Sequence, residues 1–489
     1  MISTKYGKLE GFIKDGVHIF LGIPFAEKPF GRNRFKPPRP PKSWDGIREA
    51  TAYGPISPQG KQLMEQQLPD RGEDCLTLNI WTPDPGTKNL PVMVFAHGGG
   101  QVSGSGATSL YDGTHIAREG IVLVTNNRRL GVEGFIYLGE YFDDERGTGN
   151  LGILDQLAAL EWVQENIEQF GGDPNRVTLF GESGGGATTG AVIAHTGSRG
   201  LLHRAIPQSG GHAMHTREQA EEITRHIFKL LEIKPGDFDA LAEMPWQRFV
   251  DIYPRLNQLD LDSPQVFLPT IGDMMPYHPA DATHIGFGKE LDLLIGSCRD
   301  ELKLFDAMLP TLSGSQFDKR AHRVIERSGS SWVSVLDAYR KSRPGLSESD
   351  LELVIFGDMW FRLPSIRMAD GHASHSPGRT FMYLFSWESP KIGAAHALDL
   401  ILFGNGIPFR PLAGDAPHEK VENTMLKAWT AFAKTGNPSI KSLEWPAYTS
   451  SERLTMELNE ESRLLKDPYA IERQALTGAL DGSWTDMKL

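Results

Sequence analysis

Five residues, Gly181-Glu182-Ser183-Gly184-Gly185, constrain this chain more than any other segment. They stand between an apolar run at 176–180, which reads as a strand, and a small-residue run at 184–195 that can open a helix. A strand that passes straight into a helix through G-x-S-x-G must make a tight turn, and only small residues can flank the serine there. The serine oxygen then projects from the end of the strand. Alone, the pentapeptide also suits a structural Gly-Ser turn; its strand–turn–helix setting points to a nucleophile.

The surrounding pattern alternates strand and helix. Continuous apolar runs at 92–96, 121–125, 291–295 and 380–385 read as strands buried on both faces. Residues 151–167 have helical periodicity, with Leu154, Leu157, Ala158 and Trp162 on one face, and 422–434 repeat it with Met425, Trp429 and Phe432. This order predicts an α/β chain with a large, mostly parallel central sheet flanked by helices. Residues 1 to about 90 form a small β-rich entry region, and the polar, Gln-rich stretch 57–72 reads as a long surface loop. Two mixed regions, about 215–285 and 303–378, read as helical insertions over the working edge of the sheet. Although 489 residues exceed the ~250–300 at which single cores stop growing, no linker is visible, so one elaborated domain over 1–489 is expected.

The second chemical signal is His97-Gly98-Gly99-Gly100, directly after the 92–96 strand. Bare backbone lets N–H groups approach a developing oxyanion, which any Cβ would crowd. The expected donors are the N–H groups of Gly99, Gly100 and Gly184. A serine hydroxyl needs a base, and the base needs an acid to fix its tautomer. In the α/β-hydrolase arrangement the acid and then the histidine follow the serine. The strand at 291–295 is followed by Asp300 and Glu301, and the pattern does not choose between them. His322, His372, His375, His396 and His418 come later. His372 and His375 sit in a Ser/Gly-rich stretch and read as solvated surface. His396 lies among small and apolar residues, GAAHALDLILFGN, which suits a buried loop.

The net charge of −12 argues against nucleic acid and anionic membrane as general partners. No run of ~18 apolar residues predicts a membrane span, and the opening MISTKYGKLEG lacks a secretory signal, so a cytoplasmic monomer or dimer is expected. Two cysteines, Cys75 and Cys298, are too few for a disulfide framework; both read as buried free thiols, with a single bridge as the alternative. No Cys/His spacing predicts a structural metal.

Across nearly its whole length the chain resembles the type-B carboxylesterase/cholinesterase family, and its bacterial para-nitrobenzyl esterases in particular. The resemblance rests on GIPFAEKPFGRNRFKPP, EDCLTLNIWTP, NLGILDQLAALEWVQENIEQFGGDPNRVTLFGESGGG, RDEL, HALDLILFGN, and WTAFAKTGNPS with WPAY. It implies Ser183 as nucleophile, Glu301 rather than Asp300 as acid, His396 as base, and Gly99, Gly100 and Gly184 as oxyanion donors. It implies supporting roles for Ser209 and for Glu182. The chain also departs from the family pattern. Gly184 stands where alanine is usual, Gln101 where an aromatic commonly follows the glycines, and Arg128 where the family has tyrosine. Ser57 occupies the position of the cysteine that pairs with Cys75 in animal members, and no tryptophan stands in the 57–72 loop, which weakens a choline-ester assignment.

What the resemblance implies is hydrolysis of small-molecule carboxylic esters through an acyl-enzyme, with no cofactor and no metal. Two other readings are a non-catalytic cholinesterase-like scaffold, and the same triad acting on amides, carbamates or lactones. Gln101 and Arg128 suggest a polar acyl side that would favour an ester bearing a carboxylate. The competing reading is that Arg128 pairs with a nearby acid and never meets substrate.

Overall fold

The computed structural model describes residues 1–61, 68–142, 149–210, 214–259, 265–308, 322–326 and 329–479. The chain divides into two compact units: Met1–Ala205 with Met214–Pro276, and Ile206–Ala213 with Tyr277–Leu489.

In the first unit, β1 (Ile2–Ser3), β2 (Lys8–Glu10) and β5 (Ile47–Glu49) form a small sheet, with β3 (Phe12–Lys14) and β4 (Val17–Pro24) between them in sequence. β3 and β4 join β6 (Thr77–Thr82), β7 (Leu90–Ala96), β8 (Val122–Asn126) and β9 (Gly172–Glu182) in the order β3-β4-β6-β8-β7-β9. Pairing is antiparallel from β3 to β8, and β7 runs parallel to both β8 and β9. Six consecutive residues of β7 are buried, without the alternation of a half-exposed strand, because helices cover such a strand on both sides. Ala96 pairs with Gly181 across β7 and β9, so the chain leaves both strands at the same end. That register places the Gly-rich loop after β7 beside the turn after β9. β9 begins earlier than the 176–180 run, and its pairing with β7 slips between Gly172 and Val177.

Two sequence expectations need correction in this unit. The helix Leu151–Asn166 is buried almost all round, and Leu154 and Ala158 lie on its more exposed side. The inward face carries polar residues with partners: Asp155 takes the guanidinium of Arg129 through Oδ2 at 2.9 Å and Oδ1 at 2.7 Å, and Gln156 exchanges two 3.2 Å bonds with Asn126. Fully paired polar groups can occupy a core, so polarity misreports the face. The stretch expected as a surface loop is also buried at its start, with Ser57 and Gln59 each 1% exposed. Ser57 Oγ donates to the Arg128 carbonyl at 2.5 Å, and Gln59 exchanges bonds with the Gly104 carbonyl and N–H at 3.0 and 2.9 Å. These residues support the loop after β7. Residues 62–67 of the stretch lie outside the described residues.

β10 (Arg204–Gln208) leads from the first unit into the second. There β11 (Asp292–Cys298), β12 (Thr380–Phe385) and β13 (Leu454–Leu458) pair in parallel, and β14 (Arg463–Lys466) is antiparallel to β13. The helix Glu419–Thr435 buries Met425, Trp429 and Phe432, as its periodicity predicts. His372 is not solvated surface. It lies in the helix Leu363–His375, 1% exposed, with Nδ1 2.7 Å from Thr380 Oγ1 and Nε2 3.1 Å from the Gly288 carbonyl. Burial pushes its pKa down to about 4, so it is neutral. His375 is exposed. No helix among the described residues is long and apolar enough to cross a membrane.

The second unit also holds a buried ion network. Glu472, fully buried in the helix Ala470–Ala479, receives Arg343 at 2.8 and 3.1 Å and Arg362 at 3.1 Å. Arg362 also holds Asp358 through bonds of 2.7 and 2.6 Å, and a π-turn at Asp358–Arg362 brings the two side chains together. The ring of Tyr469 lies 4.3 Å from the Arg343 guanidinium. Removing one partner of such a network leaves uncompensated charge in a dry site. Glu472→Gln is therefore expected to destabilise the protein by about 3–5 kcal/mol. Urea denaturation followed by circular dichroism checks this through a lowered midpoint at unchanged slope.

Candidate active site

Ser183 directly follows β9 with φ 57° and ψ −123°, a positive-φ conformation that a serine rarely adopts. The surrounding glycines allow it. A Cβ on Gly181 would lie 2.5 Å from the Gly185 carbonyl oxygen, and one on Gly185 would collide with the Ala96 carbonyl. The helix Gly184–Ala194 starts at once, and Ala187 N–H donates to the Ser183 carbonyl at 2.8 Å. The N–H of Gly184 has no acceptor within its own helix, and the helix dipole places partial positive charge there.

The loop after β7 turns at Gly99, whose carbonyl accepts from Val102 N–H at 3.1 Å and Ser103 N–H at 3.0 Å. Gly99, Gly100 and Gln101 all have positive φ, at 106°, 59° and 62°. A Cβ placed on Gly184 would stand 2.9 Å from Gly100 N and 3.2 Å from Gln101 N. The two backbones therefore touch, and an alanine at 184 would have to push the loop away. This is a physical reason for the departure at that position. Glu182 is 2% exposed, and a Cβ on Gly98 would come within 2.9 Å of its Oε2. His97 is fully buried, and burial together with nearby Arg128 holds its pKa well below the usual imidazole range.

Gln101 and Arg128 are the two residues from which a polar acyl side is expected. Both are buried, at 1% and 0% exposure, and their polar groups face each other. Arg128 donates from Nε at 3.3 Å and Nη2 at 3.1 Å to Gln101 Oε1, and from Nη2 to the His97 carbonyl at 2.9 Å. Among the described residues, the hydrogen-bond partners of the arginine are a neutral amide and a carbonyl rather than an acid.

The second unit brings together Ser209, Glu301 and His396, all at most 3% exposed. Glu301 follows β11 by three residues, and its Oε1 accepts from Cys298 N–H and Ser209 Oγ, each at 2.7 Å. Its Oε2 lies 2.5 Å from His396 Nδ1. A carboxylate on that side holds the imidazole proton on Nδ1 and leaves Nε2 as the basic nitrogen. Ser209, at φ 46°, is fixed by its N–H to the Gly296 carbonyl at 2.9 Å. Asp300, the other acid that the spacing allowed, is engaged by other groups. Its carboxylate takes Arg299 Nη2 at 2.7 Å and Ala394 N–H at 3.2 Å, while its own N–H donates to the Ala394 carbonyl at 2.9 Å. Asp300 thereby ties the acid's loop to the histidine's loop.

Several neighbours of this group carried no sequence signal. The rings of Phe305 and Phe361 tilt against His396 at centroid distances of 5.1 and 4.8 Å. Asp399 is fully buried, accepts from Gln208 Nε2 at 3.0 Å and Tyr383 OH at 2.8 Å, and burial raises its pKa to about 6. Cys75 and Cys298 are both buried and unbridged, and burial pushes the Cys75 thiol up to about 12.

Residues 1–476 match the sequence pattern described as the carboxylesterase family. The para-nitrobenzyl esterase of Bacillus subtilis (strain 168) is 36% identical over 97% of this chain and 98% of its own length. The phenmedipham hydrolase of Pseudarthrobacter oxydans is 33% identical, with 94% of each chain covered. A carboxylesterase structure from Geobacillus stearothermophilus superposes with a TM-score of 0.88 at 35% identity, over 97% of this chain and 99% of that one. At that similarity the fold is the α/β-hydrolase fold, the class that the strand–helix alternation predicted.

Proposed function

Because the chain belongs to the carboxylesterase family and is an ester hydrolase, we propose that it works through an acyl-enzyme on Ser183. In this reading Ser183 Oγ attacks the ester carbonyl and its proton passes to His396 Nε2. The carbonyl oxygen becomes an oxyanion that accepts from the N–H groups of Gly99, Gly100 and Gly184. The C–O bond to the alcohol then breaks, and the leaving oxygen takes the proton from Nε2. Water attacks the acyl group in the same way, giving a proton to Nε2. The acid leaves, and Ser183 Oγ recovers that proton. Glu301 holds Nδ1–H throughout and stabilises the imidazolium, and Ser209 and Glu182 support the arrangement.

The observation that carries this reading is the positive-φ Ser183 directly after β9, with Gly184 packed on the loop of Gly99 and Gly100. Strain of this kind costs on the order of 1–3 kcal/mol, persists only where the surrounding structure over-determines it, and clusters at active sites. The substrates are small-molecule esters. The unbridged Cys75 and Cys298 support work in a reducing compartment such as the cytoplasm.

The test is turnover of p-nitrophenyl acetate and butyrate at pH 7–8, with titration by an organophosphate. Activity is expected to vanish as one equivalent is bound, and the adduct mass should fall on the peptide carrying Ser183. Absence of both turnover and adduct would favour the non-catalytic scaffold.

A further inference from the structure

Gln101 and Arg128 are placed to act together on the loop that supplies the oxyanion donors. Gln101 Nε2 donates to the Gly184 carbonyl at 2.8 Å and to Thr188 Oγ1 at 3.2 Å, both on the helix after the nucleophile. Its Oε1 accepts from Arg128 Nε and Nη2. The amide orientation follows from the partners, since Arg128 only donates and a carbonyl only accepts. Arg128 Nη2 reaches the His97 carbonyl at 2.9 Å, at the start of the loop. The backbone closes the circle, as Gly131 N–H donates to the Gln101 carbonyl at 2.7 Å. Gln101 itself is held at φ 62°, which a free glutamine would leave. Arg128 is fully buried, has no carboxylate within bonding distance, and its Nη1 has no hydrogen-bond partner among the described residues. A buried cation bonded only to neutral acceptors is costly, so a role in placing its neighbours accounts for its presence better than stability does.

We infer that Gln101 and Arg128 form a buried clamp that fixes the oxyanion loop against the nucleophile's helix, as positioning residues for ester hydrolysis. The inference rests on the acyl-enzyme reading above. One end of the clamp is the His97 carbonyl, the other is the Gly184 carbonyl, and the N–H groups of Gly99, Gly100 and Gly184 lie on the backbone between and beside them. Release of either end lets these donors drift from a common point. Substrate binding does not need that point, whereas the tetrahedral intermediate does.

The test is a double-mutant cycle of Gln101→Leu, Arg128→Met and both together, with p-nitrophenyl butyrate as substrate. Each single change is expected to lower kcat about 100-fold, the scale of one lost oxyanion donor, with KM within about twofold. The double variant should be no worse than the poorer single, because the two act as one unit. Affinity for a trifluoromethyl ketone, which forms an oxyanion on a serine, should fall by the same factor as kcat. Gln101→Glu serves where the apolar changes prevent folding. It keeps the pairing with Arg128 but turns an oxygen toward the Gly184 carbonyl, so kcat should fall in a protein that still melts in one cooperative transition. Unchanged kcat in folded variants, a loss residing in KM, or independent losses that multiply would each overturn the clamp. An inactive parent protein would instead overturn the acyl-enzyme reading.

Discussion

Ser183→Ala should hydrolyse p-nitrophenyl acetate about 10⁶-fold more slowly than the parent protein, the loss found when a serine nucleophile is removed from an intact site. The comparison is clean because the change deletes one oxygen and little else. Ser183 has no side-chain cap bond to its helix, and the turn at φ 57° is imposed by the close backbone contacts around Gly181 and Gly185. Alanine suffers the same positive-φ strain, so the melting temperature should hardly move. In the proposed mechanism the N–H groups of Gly99, Gly100 and Gly184 remain and should still supply a residual of roughly 10³–10⁴ over uncatalysed hydrolysis. Burst kinetics and organophosphate labelling should disappear together. Retention of more than about one part in a hundred of kcat would leave some other group as nucleophile and overturn the assignment, since no bystander serine commands a factor near 10⁶.

The parts of this site that the sequence made legible are the local ones. The turn at Ser183 needs Gly181 and Gly185 within two residues, and the loop of Gly99 and Gly100 directly follows a buried strand, so spacing alone exposes both. Asp300 and Glu301 were not separable by spacing because they are adjacent and follow the same strand. Their contacts differ only in the fold, where Glu301 meets His396, 95 residues away, and Asp300 takes Arg299 and Ala394. The sequence left Arg128 open between a ligand for a substrate carboxylate and the partner of a nearby acid, and its bonds to Gln101 were not foreseen because a bond between a neutral amide and a guanidinium leaves no trace in the sequence. The helix Leu151–Asn166 misled for a related reason. Its Asp155 and Gln156 resemble a solvent face, yet each has its partner inside the core, in Arg129 and Asn126. His372 was read as solvated because Ser and Gly surround it. Packing of the apolar side of its helix overrides that weak local preference.

Glu301→Gln should cost about 10⁴-fold in kcat while leaving fold and KM nearly intact, as for the Asp-to-Asn change in a serine-protease triad. The hydrogen bonds of this glutamate dictate why. Its Oε1 accepts from both Ser209 Oγ and Cys298 N–H, and only an oxygen can satisfy the Cys298 N–H. A glutamine must therefore keep its carbonyl on that side and turn its NH2 toward His396 Nδ1. Nδ1 then becomes the acceptor, the imidazole proton moves to Nε2, and the nitrogen that takes the serine proton in the proposed mechanism is already occupied. Loss of the negative charge also withdraws support from the imidazolium. Ser209→Ala should act more weakly, because Cys298 N–H still holds Oε1 and the carboxylate still faces Nδ1. Kinetics on p-nitrophenyl butyrate for the two variants separates these effects. A large loss in Glu301→Gln beside a small one in Ser209→Ala fits an acid that sets the tautomer. Equal losses would mean that the placement of the carboxylate, rather than its charge and acceptor character, is what His396 requires.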